Sequence, residues 1–186
     1  MPGSKWHAHK VHGRDKVLRE IEKRANAYGE AVVRDIRGVM HDYEVDMYRL
    51  VLMIGKRYGM EPAFEIMSDT VAEKRLRWVA QTTDELQLTG TVLEQGLDLY
   101  CKYFNLGADS FQIVEQDDAR VLFRRKDYID AIATACDTLG LDVIEVNNKV
   151  YARTMNLMFA SLDLNLTNTV LEYGDGWYVE VIEEAS

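Results

Sequence analysis

Apolar residues along this chain recur at about 3.6-residue spacing up to Asp109 and at about 2-residue spacing just beyond it, the change expected where helices give way to strands. Two helices are predicted between Arg14 and about Met60. In the second, Val45, Tyr48, Leu52 and Gly55 share a face that Asp42, Asp46, Arg49 and Lys56 largely avoid. Gly55 either admits a neighbouring helix closely or is tolerated at a cost of about 1 kcal/mol. Pro62 suits the first turn of a third helix running to about Thr82, because its missing amide hydrogen does no harm there. Leu93, Leu97, Tyr100, Cys101 and Phe104 mark one face of a fourth, stopped near Gly107.

From Phe111 to Arg125 the period-2 pattern, with a turn over Gln116 to Ala119, predicts a hairpin. Lys126 to Leu139 reads as a helix with Ile129, Ile132, Ala133 and Cys136 on one face and Gly140 at its end. Asn147 or Asn148 is expected to cap a further helix to Ser161, with Tyr151, Met155, Met158 and Leu162 as its buried row. A second hairpin follows, Thr167 to Tyr173 and Trp177 to Glu183, joined through Gly174, Asp175 and Gly176. The expected fold is α+β: N-terminal helices, a β-hairpin, two helices and a second hairpin, the strands forming a four-stranded antiparallel sheet. Residues 1–13 are expected to be a flexible tail and 14–186 one domain, with a helical half (14–107) and a sheet-and-helix half (108–186).

The hydrophobic fraction of 47% and charged fraction of 28% are ordinary for a globular protein, and no apolar run approaches the roughly 20 residues of a bilayer-spanning helix. No membrane association is expected. A net charge of -9 disfavours nucleic acid, whose binding draws affinity from neutralised phosphates. Two cysteines are too few for a disulfide scaffold, and Cys101 and Cys136 each fall on an apolar helical stripe, so they read as reduced core residues. With no secretory pattern at Met1, the cytoplasm is the default address. His7, His9 and His12 lack the partner ligands of a structural metal site, and no metal is assigned.

Phosphate-loop, paired-cysteine zinc, H-E-x-x-H and G-x-S-x-G motifs are absent. The remaining candidate chemistry is dispersed. His41, three residues before Glu44, is a candidate acid-base group, its ordinary alternative being a solvated histidine. Asp163, after the last long helix, is a second, its alternative a loop cap. Arg153 could hold a ligand carboxylate through its planar fork, with Asn147 and Tyr151 donating hydrogen bonds and Trp177 completing the binding set. Ten Tyr, three Trp and eight Met suit an adaptable ligand cavity and equally an ordinary core.

The segment Asp118 to Glu183, and above all Leu166-Thr-Asn-Thr-Val-Leu-Glu-Tyr-Gly-Asp-Gly-Trp-Tyr178, resembles the L-2-amino-thiazoline-4-carboxylic acid hydrolase family. The resemblance implies a hydrolase of a small heterocyclic amidine or amide, using an activated water and a general acid. The family pattern places cysteines where this chain has Tyr128, Asn147 and Tyr178, which puts thiol-dependent chemistry in doubt. Two readings remain: a hydrolase with His41 and Asp163 as acid-base groups, or a non-catalytic small-molecule-binding protein of 4-vinyl reductase-like type. A third is an assembly in which N-terminal helices pair as a homo-oligomer, a homodimer in its simplest form. No cofactor is identified.

Overall fold

The computed structural model describes residues 30–126 and 131–185. The expected tail with His7, His9 and His12, and Tyr128, lie outside the described residues. The chain divides into two compact units, Met1–Tyr43 and Glu44–Ser186. All the described elements belong to the second unit, apart from the start of the first helix.

That helix, α1 (Glu30–Tyr58), passes through Gly38 without a break and corresponds to the second of the two expected helices, the first lying outside the described residues. α2 (Met60–Leu86) begins two residues before Pro62, which sits in the first turn, where the amide it lacks would have no intrahelical partner. It runs past Thr82 until Gln87 takes a left-handed conformation at φ 39°. Gly55 is there for proximity: a Cβ on it would lie 2.7 Å from the Cβ of Ala63 on α2. α3 (Val92–Phe104) opens with a capping box, the Thr91 hydroxyl accepting from the Glu94 amide while the Glu94 carboxylate accepts from the Thr91 amide.

β1 (Phe111–Gln116) and β2 (Arg120–Lys126) form the first hairpin, and β3 (Leu166–Gly174) and β4 (Trp177–Glu184) the second. The four make one antiparallel sheet in the order β1-β2-β4-β3. Asp175 and Gly176, at φ 52° and 74°, form the two-residue turn whose twist matches the strands it joins. Between the hairpins come α4, described over Ala131–Leu139, and a continuous rod of α5 (Val143–Asn147), one wide π-turn (Asn148–Ala152) and α6 (Arg153–Ala160). The rod starts earlier than expected. Asp142 caps it by accepting from the amides of Ile144 and Glu145, so neither Asn147 nor Asn148 is a cap; both have helical backbones.

Asn148 acts laterally instead. Its side-chain amide exchanges two hydrogen bonds with the backbone of Val170, both 2.8 Å, and Asn156, two turns later, accepts from the Asn168 amide at 2.6 Å. β3 is an edge strand, and these side chains occupy backbone groups that would otherwise be open to another strand.

One apolar core fills the space under the sheet, with Leu99, Val121, Phe123, Met155, Met158, Phe159 and Ile182 all buried. A second joins α1 and α2 to α4 and the rod through Leu52, Phe64, Met67, Ala135, Cys136 and Val150. Met47, Leu50, Ile54 and Tyr58 remain exposed along α1. Among the described residues no helix is long and apolar enough to cross a membrane.

Candidate functional site

Charged and amide side chains converge where the apolar core should continue, between the covered face of the sheet and the rod. On α2, Phe64, Ser68, Arg75, Val79 and Leu86 fall on one buried stripe, and the helical spacing carries Arg75 inward to 1% exposure. On β2 the inward alternation Val121, Phe123 ends in Arg125, and on β4 Tyr178 and Ile182 flank Glu180, itself 2% exposed. α3 supplies Tyr100, the rod supplies Asn147 and Tyr151, and β3 supplies Asn168.

Arg125 and Glu180 form the centre of the polar network. Arg125 Nε donates to Glu180 Oε1 at 3.0 Å and to the Tyr100 hydroxyl at 2.8 Å, while the guanidinium lies over the rings of Phe104 and Tyr178. Asn168 Nδ2 donates to Glu180 Oε2 at 3.1 Å. Burial holds the Tyr100 phenol well above its ordinary pKa; the Arg125 charge opposes that rise and the Glu180 carboxylate adds to it.

Arg75 is provided for differently. Its Nη1 donates to the Tyr151 carbonyl at 2.5 Å, and its guanidinium packs over the rings of Tyr103, Phe104 and Tyr151. The carbonyl belongs to the π-turn, where the widened backbone frees acceptors from the regular helical ladder. Among the described residues Arg75 Nε has no hydrogen-bond partner. The Tyr151 phenol pairs with the Tyr48 hydroxyl, and burial first, then Tyr48, raise its pKa well above the ordinary value.

These groups enclose a hollow offering about 10 Å³ to the centre of a water-sized sphere, room for roughly one water molecule. The interior is therefore much fuller than the adaptable ligand cavity that the Tyr, Trp and Met content suited. A wider recess of about 150 Å³ lies along the first hairpin, but its walls are Glu115, Gln116, Asp117, Arg120 and Leu122, none of them buried.

Of the residues singled out in the sequence, Asn147 and Tyr151 face the hollow. Asn147 is 2% exposed, and its Nδ2 donates to the Val143 carbonyl and, at 3.3 Å, to the Tyr178 hydroxyl. Arg153 is exposed, pointing away from the side of the rod that buries Ala152 and Met155. Trp177 is half-buried at the start of β4, under the Arg124 guanidinium and away from the hollow. Asp163 is exposed beyond α6 with a left-handed backbone, φ 56°. His41 Nδ1 lies 3.3 Å from Asp42 in the first compact unit.

Burial and neighbouring carboxylates, Asp98 and Asp142, push the thiols of Cys101 and Cys136 up to about 11, so neither is a ready nucleophile near neutrality. Among the described residues no group of three or more His, Cys, Asp or Glu side chains is placed to hold a metal ion. Sequence reasoning misses Arg75, Arg125, Glu180 and Asn168. Their signal is a charge or amide standing where the local period demands an apolar residue. Comparison with protein-family models, curated proteins and solved structures gives no match.

Proposed function

We propose that residues 44–186 form a small-molecule-binding module, of the 4-vinyl reductase-like type, whose ligand enters the hollow between the sheet and the α5-π-α6 rod. The observation that carries it is the convergence of four buried polar side chains, Arg75, Asn147, Asn168 and Glu180, and the half-buried Arg125 on one small void. A core gains nothing from such a void, because buried polar groups lose hydration and the gap forfeits packing. Convergent polar groups set among Phe104, Tyr151 and Met155 match the usual composition of a ligand site. The hollow can widen at Met155, an unbranched side chain with several rotatable bonds.

Binding to the native state alone raises stability with ligand concentration. Screening the full chain against small aromatic and heterocyclic compounds should yield ligands that raise the melting temperature without product. The hydrolase reading forecasts something else: turnover of a cyclic amidine, abolished by His41→Ala or Asp163→Asn in a chain that still folds. Product formation with that sensitivity would replace the binding reading. A screen whose compounds shift nothing would refute it.

A further inference from the structure

We infer that the ligand of this hollow carries a single oxyanionic group, bound by Arg75. The inference rests on the binding reading and adds the chemical class of what is bound. Arg75 and Arg125 bring two fixed positive charges to the walls and Glu180 one negative charge. Arg125 and Glu180 are 3.0 Å apart and answer each other. Arg75 forms no ion pair with a carboxylate among the described residues. Among the described residues it keeps one bond to a neutral carbonyl, the π faces of three rings, and an Nε–H with no acceptor, all at 1% exposure.

A guanidinium cannot escape the cost of burial by losing its proton, as a lysine can. Its charge persists, and ring faces and one carbonyl offset only part of the lost hydration. The missing element is an anionic acceptor at Nε. Planar oxyanions match the guanidinium fork, and one such group answers the single charge of Arg75. A neutral water can fill the space, but it leaves the charge uncompensated.

Benzoate and benzamide have nearly the same shape and differ in charge, so they separate the two claims. At fixed ionic strength and neutral pH, benzoate should raise the melting temperature of the full chain saturably by about two degrees or more, and benzamide should not. Arg75→Met should remove the benzoate shift, whereas Arg153→Met, altering an exposed arginine, should keep it. If Arg75→Met does not fold, the Nε–H resonance of Arg75 in the unaltered chain gives the same answer: it should move with benzoate and stay with benzamide. Equal shifts by both compounds would overturn the charge assignment and leave the binding reading standing. No response to benzoate, while neutral compounds from the wider screen do bind, would likewise overturn this inference alone.

Discussion

Replacing Glu180 with leucine should destabilise the protein by about 3 kcal/mol. The Glu180 side chain is 3% exposed and accepts from Arg125 and Asn168, so its removal takes from Arg125, itself 12% exposed, the carboxylate 3.0 Å away. Breaking a buried pair on one side typically costs about 3–5 kcal/mol. The lower end applies because Arg125 keeps the Tyr100 oxygen and two ring faces. For a chain of this length about 3 kcal/mol corresponds to roughly 6–12 °C in melting temperature. Urea unfolding followed by circular dichroism should show a lower midpoint at unchanged slope. Adding Arg125→Met should restore much of the loss, since it removes the cation that the first replacement deprives of Glu180, and the double-mutant cycle should show coupling above about 1.5 kcal/mol. A single-variant loss below about 1 kcal/mol, or a cycle without coupling, would refute the network as drawn.

Asn148→Ala and Asn156→Ala should each cost about 1–2 kcal/mol in urea unfolding, because each uncovers backbone groups of β3; normal stability in both would mean the edge is protected otherwise. Alkaline pH should weaken the fold in a defined order. The thiols of Cys101 and Cys136 are raised from 9.0 to about 11, so their contribution is intact below pH 9 and is lost between pH 9 and 11, as the unfolded chain releases protons the folded one retains. Tyr100 and Tyr151 extend the decline beyond pH 10, at up to about 1.4 kcal/mol per pH unit for each titrating group, and Cys101→Ala with Cys136→Ala should flatten only the earlier part; constant urea midpoints through about pH 11 would contradict this. Pairing of copies along α1, through Met47, Leu50, Ile54 and Tyr58, predicts a molar mass by light scattering that rises with concentration and returns to one chain in Leu50→Glu; an unaltered chain that stays monomeric throughout would exclude it.

Elements were legible where periodicity was long and uninterrupted. Both hairpins, the Asp175-Gly176 turn and the buried Met155-Met158 row follow from spacing that only one secondary structure satisfies. Asn147 misleads because asparagine suits a cap, yet Asp142 lies at the true start and Asn147 uses its amide inside the helix to reach Tyr178. The π-turn over Asn148–Ala152 has no mark in the sequence. Arg153 has suitable chemistry, but a helix buries by angle, and Arg153 falls on the wet side. Arg75, Arg125 and Glu180 escape notice for the complementary reason: one charge interrupting an apolar period looks like noise, whereas three such interruptions, on α2, β2 and β4, meet at one point. That convergence depends on tertiary contacts between residues as far apart as Arg75 and Glu180.

A crystal structure of the full chain grown in saturating benzoate would test most directly whether this polar hollow is an anion-binding ligand site. The ring should lie against Phe104 with Met155 displaced, and a carboxylate oxygen should sit within about 3 Å of Arg75 Nε. Benzoate bound elsewhere, with only water beside that nitrogen, would contradict the assignment.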